Sequence, residues 1–308
     1  MRAGAALIMW ENLQILFTAP VFNVQLLLNG LTVGAVFALV AYGLALVWGV
    51  TNIKNLAQGD FVMAGGYGAY LFWKHGINPL YAILPTAAVM FVLAWILYRL
   101  VIRRVIQLDL FTSLLATFGL AIVIQQTLNL IFGPEVRTAR SGLPEIHMFA
   151  NMVTFSEIRL VSFGLCVLLA IAMVLYLKNS RMGQAIRATA QDPRAARVLG
   201  VNTDRVYALT FSINAAICGA AGALISMIWV IQPFYGISYS VRAFVIVTAA
   251  GLGNLPGVIL TALGLGVLEQ YSGFILGAQF QQATVVTLLL VILVWRQILL
   301  LRQRKALQ

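Results

Sequence analysis

Along its 308 residues the chain alternates long apolar runs with short polar breaks. The runs cover residues 24–50, 61–73, 80–100, 110–132, 160–177, 206–231, 241–252, 258–268 and 283–301. They lack the period-two alternation of a membrane-barrel strand, so each reads as helix. A bilayer's hydrocarbon core takes about 20 helical residues to cross. Most runs reach that length, while 61–73, 241–252 and 258–268 fall short. The pattern predicts an all-α, polytopic transmembrane bundle of about eight spans, with broken or re-entrant helices at the short runs. Residues 24–302 read as one membrane domain and 303–308 as a cytoplasmic tail. Residues 1–23 form an N-terminal extension, an interfacial helix or a weak span interrupted by Glu11, Asn12 and Gln14, without a convincing signal-peptidase site.

Composition agrees. Hydrophobic residues make up 61% and charged residues 9%, against about a quarter charged in soluble domains. The net charge is +11, but the basic residues lie in clusters between apolar runs. These are Arg99, Arg103 and Arg104; Lys178, Arg181, Arg187, Arg194, Arg197 and Arg205; and Arg296, Arg302, Arg304 and Lys305. Clusters of this kind record topology by the positive-inside rule rather than nucleic-acid binding, so all three are assigned to the cytoplasm and residues 133–157 to the outside. Cys166 and Cys218, each inside an apolar run, act as small hydrophobes, and His75 and His147 have no metal-ligand spacing. No metal site is expected.

The orientation sets a parity. Residue 206 starts inside and the tail ends inside, so the chain between crosses an even number of times. The runs at 241–252 and 258–268 therefore pair, either both crossing or forming a re-entrant hairpin around 251–257. An earlier interruption, at 49–60, precedes the short glycine-rich run 61–73. Interrupted segments in both halves point to inverted repeats around a midplane pathway.

The polar hinge at 179–205 is too long for a turn and too polar to span. Its small and apolar residues keep helical spacing. Asp192 followed by Pro193 reads as a helix start and Gly200 as a stop. A short helix over 193–199, preceded by a helical stretch near 183–190, is predicted on the cytoplasmic side. It is either a solvated interfacial loop or a docking helix, and the small Ala195, Ala196 and Gly200 suit close approach of a partner. Polar groups at membrane depth usually face a cavity or partner. Asn29, Thr32, Asn55, Gln58 and Asp60, then Asn214, Ser226, Thr248 and Asn254, are pathway candidates. Asp60 has two readings, a gate residue or the N-cap of the helix at 61, and Glu269 reads as a surface or interface residue. The glycines, Gly30, Gly34, Gly65, Gly66, Gly219 and Gly222 among them, read mainly as helix-packing positions.

Four stretches together resemble one family. They are L-N-G-L-T-V-G at 28–34, N-L-A-Q-G-D-F-V-M-A-G at 55–65, G-Q-A-I-R-A-T-A-Q-D at 183–192 with Ala195, Ala196 and L-G-V at 199–201, and R-A-F-V at 242–245 with G-L-G-N-L-P-G at 251–257. In this order they resemble the smaller permease subunit of the branched-chain (hydrophobic) amino acid ABC importers, over nearly the whole chain. The resemblance implies a multi-pass protein of the bacterial cell inner membrane. It also implies a paralogous second permease, two cytoplasmic ABC ATPases and an extracytoplasmic solute-binding protein. The hinge then becomes a coupling loop, with Asp192, Pro193, Ala195, Ala196, Leu199 and Gly200 its contact residues. Gln58 and Asp60 fall within the family's pattern.

Neither a cofactor nor catalysis is expected in this chain. It has no G-x-x-x-x-G-K-[ST] loop to cradle phosphates, so ATP and Mg belong to the partner ATPases. The stretch at 251–257 mimics a dinucleotide fingerprint only superficially, because its last glycine is one residue late and no strand precedes it. Rival readings are the same machinery serving urea or aromatic and carboxylic acids, an ATP-independent secondary transporter or channel, and a membrane enzyme. Of the last two, the transporter would want coupling charges within the spans, where this chain has almost none, and the enzyme a catalytic constellation, which does not appear.

Overall fold

The computed structural model describes residues 2–106, 108–148, 153–251 and 253–306. Gln107, residues 149–152 and Leu252 lie outside the described residues, as do the last two residues of the expected tail. Helix α1 (Arg2–Thr18) rests on the outer end of the bundle, where Asn12 Nδ2 donates to the Phe274 carbonyl at 2.9 Å. Helix α2 (Pro20–Thr51) begins with a proline at its first turn and runs inward. Then come α3 (Gln58–Lys74), α4 (Ile83–Leu97), a π-helical turn (Tyr98–Ile102), α5 (Arg103–Val105) and α6 (Leu110–Phe132). Outside the bundle a small antiparallel hairpin, β1 (Glu145–Met148) with β2 (Val153–Ser156), leads into α7 (Glu157–Asn179). The hinge holds α8 (Arg181–Gln191) and α9 (Pro193–Val198). The second half comprises α10 (Thr203–Ile228), α11 (Gly236–Ala250), α12 (Leu255–Leu276) and α13 (Gln281–Ala306).

Among the described residues, seven helices are long and apolar enough to cross a bilayer. Two further crossings are broken. After α2 ends inside, residues 52–57 turn back toward the membrane centre and α3 carries the chain outward from there. After α10 ends outside, residues 229–235 return to the centre and α11 carries the chain inward. With α11 as a broken crossing, α10, α11, α12 and α13 keep the even parity between residue 206 and the tail. The run at 258–268 departs from expectation: it is the middle of α12, a continuous helix of 22 residues. Its outer turns continue through Glu269, whose charge is neutralised by Arg242 from α11. Hydropathy alone ended the run too early.

The order α2–α3–α4–α6 recurs, inverted, as α10–α11–α12–α13. The halves are interlocked, because α2 packs along α12 and α11 while α10 packs along α4 and α3. Lipid gives helices no hydrophobic drive to associate, so close backbone approach at small residues holds them. A Cβ on Gly65 would meet the backbone of Gly219, and one on Gly222 the carbonyl of Val62. On the other side, a Cβ on Gly34 would meet Leu263 and one on Gly266 the backbone of Gly30 and Gly34. The G-x-x-x-G of α2 thus marks its crossing with α12, and the G-x-x-G of α10 its crossing with α3. At the outer end, Arg137 and Ile231 exchange backbone hydrogen bonds of 2.9 and 2.7 Å, and Ala139 N donates to the Ser226 carbonyl at 2.8 Å.

Candidate translocation core and coupling surface

The two half-helices start side by side at mid-depth. Gln58, the first residue of α3, lies level with Val40 and Asn214, each about 16 Å from the inner end of its helix at 1.5 Å rise per residue. The Gln58 and Asn214 amides pair reciprocally: Nε2 of Gln58 donates to Oδ1 of Asn214, and Nδ2 of Asn214 to Oε1 of Gln58, both at 2.9 Å. Gln58 Nε2 also donates to the Val40 carbonyl at 2.8 Å and lies 3.1 Å from Cys218 Sγ. Gly43 on α2 leaves the room this pair fills. The α3 start is tied to α11 through one hydroxyl, since Gly59 N donates to Ser240 Oγ at 2.8 Å and Ser240 Oγ donates to the Leu56 carbonyl at 3.0 Å. Both helices direct their N-terminal, partly positive ends to this level.

Asp60 is buried in the first turn of α3, but Ala57 occupies the N-cap position. The N-cap reading is therefore corrected: Asp60 stands two residues into the helix, where its Oδ1 accepts from Gln125 Nε2 of α6 at 2.9 Å and faces Gly236 of α11. Thr117 of α6 supports the approach to α3, its Oγ1 accepting from Leu56 N and donating to the Lys54 carbonyl, both at 3.3 Å. Asn55 is buried, and its Oδ1 accepts from Ala57 N at 3.2 Å. Asn55, Gln58 and Asp60 thus gather at the half-helix junction. Asn29, Thr248 and Asn254 do not. Asn29, toward the outer end of α2, accepts from Arg159 Nη1 at 2.6 Å. Thr248 is half-buried near the inner end of α11. Asn254 is exposed and caps α12, accepting from Gly257 N at 3.1 Å.

The structure adds a pair that the sequence reading left apart. Glu269 is buried in the outer part of α12, which corrects the surface half of its reading as a surface or interface residue. Arg242 Nε lies 3.2 and 3.1 Å from its two oxygens, and Nη2 also pairs with it. Both residues line a cavity of about 420 Å³ with Phe37, Tyr239, Gln281 and Gln282. A signal was present: these are the only charged residues between Arg205 and Arg296, and isolated opposite charges in adjoining spans pair.

At the inner end, α8 buries Gly183, Ile186 and Thr189 against the ends of α2, α7 and α10. Ser180 caps α8, its Oγ accepting from Gly183 N at 2.8 Å. Asp192 caps α9, its Oδ1 accepting from Arg194 N at 2.7 Å and Ala195 N at 3.1 Å. These hydrogen bonds from the Ala195 and Arg194 amides hold its carboxyl below the usual range. Gly200, at φ +85°, ends the turn in a conformation L side chains rarely adopt. Ala195, Leu199 and Gly200 face outward. Ala196 does not; it is 2% exposed, so its small size serves contact within the chain. At the end of α9, Val198 and the C-cap Leu199 are 87% and 80% exposed among Arg194 and Arg197. That is an apolar tip in a basic setting.

A helical membrane core with opposed half-helices meeting at its centre, and a capped two-helix hinge at its inner end, defines the membrane subunit of a transporter. The chain belongs to the family described as "Branched-chain amino acid transport system / permease component", whose model matches residues 26–295. It is 31% identical over 286 residues to the high-affinity branched-chain amino acid transport system permease protein BraD of Pseudomonas aeruginosa, covering 88% of this chain and 93% of that one. The corresponding permease LivH of Escherichia coli K12 is 29% identical over 290 residues, with the same coverage. LivM of the same organism is 26% identical over 296 residues, covering 86% of this chain and 67% of LivM. No solved structure matches. The chain is a multi-pass inner-membrane protein.

Proposed function

We propose that this chain forms one side of the translocation pathway of an ABC importer for branched-chain or other hydrophobic amino acids. A paralogous permease completes the pathway, and an extracytoplasmic binding protein delivers the solute. Two cytoplasmic ATPases, which bind ATP and Mg, drive the cycle. The observation that carries this reading is the exposed pair Val198 and Leu199 at the tip of α9, on a hinge whose first helix is seated on α2, α7 and α10. A partner gripping that tip moves the inner ends of both central helices together, and α11, packed on α2, follows. The half-helix N-termini provide partial positive charge at mid-depth to a solute carboxylate.

The test is the double substitution Val198→Asp with Leu199→Asp in the co-expressed transporter. The permease stays in the membrane, while ATPase co-purification and ATP-dependent leucine uptake into proteoliposomes each fall about tenfold or more, the scale of a lost interface anchor. Full ATPase retention overturns the docking role. Leucine uptake by the wild-type complex without ATP overturns the importer reading.

A further inference from the structure

Arg242 and Glu269 pair inside the bundle rather than at its rim, with side-chain exposures of 13% and 5%. Desolvating two charges is costly, and an apolar contact between α11 and α12 would hold these helices as well or better. The pair also faces open space. The cavity it lines lies between α2, α11, α12 and the start of α13, and reaches the outer turn at Trp229 and Val230. One wall is apolar and aromatic: the guanidinium carbon stands 5.2 Å from the Phe37 ring centre and 5.9 Å from that of Tyr239. The other carries amides, Gln270, Gln281 and Gln282. Arg242 Nη1 is engaged by the Ser238 carbonyl at 3.0 Å, which fixes the guanidinium plane.

We propose that this cavity is a transit site for an α-amino acid zwitterion with an apolar side chain, its carboxylate taken by Arg242 and its ammonium by Glu269. The proposal rests on the importer reading and names the permease residues that recognise the solute. A zwitterion brings one charge of each sign, so the resident ion pair opens into two without adding net charge at membrane depth. A fatty acid or an alkylamine would leave Glu269 or Arg242 uncompensated. An aliphatic side chain fits against Phe37, Tyr239 and Val33, and the cavity volume falls in the range of small-molecule sites.

The experiment uses the assembled transporter carrying Gln282→Cys at the cavity mouth, labelled by a membrane-impermeant maleimide without binding protein or ATP. The native Cys166 and Cys218 are buried, so labelling of this chain, read after its separation from the partner subunits, reports the introduced thiol. Millimolar leucine slows labelling about tenfold, and isocaproate and isoamylamine at the same concentration do not. Adding Arg242→Gln with Glu269→Gln, which removes both charges and leaves neither unpaired, abolishes the protection. That variant still co-purifies with its ATPases and keeps binding-protein-stimulated ATP hydrolysis, while leucine uptake falls about tenfold, equivalent to about 1.4 kcal/mol. Absence of leucine protection in the wild-type pair, or its persistence in the neutral pair, overturns the site. So does equal protection by the acid or the amine, or failure of the neutral pair to assemble, which would make the ion pair structural. ATP-independent uptake by the wild type overturns the importer reading instead, and the labelling arms separate the two failures.

Discussion

Replacing Gln58 with Met keeps the length of the side chain but removes both halves of its amide. Asn214 then loses the acceptor for its Nδ2 and the amide donor to its Oδ1, which keeps only the Cys218 thiol at 3.7 Å, at a position sealed from water. A buried group left without its partner costs about 1–3 kcal/mol, and interhelical hydrogen bonds in membranes reach about 1.7 kcal/mol. Gln58→Met is therefore expected to destabilise the fold by about 2–3 kcal/mol. The reverse variant, Asn214→Leu, is milder, at about 1–2 kcal/mol, because Gln58 Nε2 keeps the Val40 carbonyl. Combining the two replaces a polar pair by apolar groups of similar shape and brings stability back within about 1 kcal/mol of wild type. The assay is a double-mutant cycle by SDS-titrated unfolding in detergent micelles, followed by far-ultraviolet circular dichroism. Strictly additive costs would refute the reasoning, because they would mean that the two amides do not act as one clamp.

Two further outcomes follow from the hinge and the helix crossings. Asp192→Ala removes the α9 cap and loosens the first turn of that helix, read as faster exchange of the Arg194 and Ala195 amides. Because the folded carboxyl titrates below its unfolded value of about 3.9, the cap's contribution is complete above that pH and is lost as pH falls through the depressed value. Protection of α9 is accordingly flat from neutral pH to about 5 and drops only in stronger acid. Gly222→Ala places a methyl group against the Val62 carbonyl and the Gly66 amide. Both are backbone, so the overpacking costs about 3 kcal/mol and the yield of folded protein falls, whereas Ala at the uncrowded Gly264 leaves it unchanged.

The elements whose boundaries are set by local chemistry were legible in the chain itself. Helix α6 begins after Asp109 and stops at Gly133, where the apolar run does. Helix α9 starts and stops within a residue of the positions announced by Asp192, Pro193 and Gly200. The interruption before the run at 61–73 was visible, but the second was expected around 251–257 and lies ahead of α11 at 229–235, and the meeting of the two was not legible. Contact between Gly59 and Ser240 joins residues 181 positions apart, and no local period encodes it. Helix α12 was misjudged because hydropathy counts Glu269 as a break, whereas tertiary structure supplies Arg242 to cancel it. The N-cap of α3 was misplaced by three residues, at Asp60, because the polar start of the helix offered several cap candidates, and Ala57 holds the position without a side-chain bond. Ala196 shared a helical stretch with the outward-facing Ala195, and only the seating of α9 on the bundle distinguishes the two.

The interlocked halves leave α2 and α10 as an inner shaft, with 89% and 78% of their apolar windows buried, against 6–28% for the other five long helices. Only the outer set must match the bilayer's thickness. A change in lipid chain length would be met by tilt or local adjustment of α4, α6, α7, α12 and α13, at fractions of a kcal/mol per ångström. The shaft, clad in protein, has its length set by the depth of the half-helix junction instead. Adaptation of this transporter to thicker or thinner membranes can therefore proceed by substitution on its lipid-facing helices, without retuning the residues at its centre.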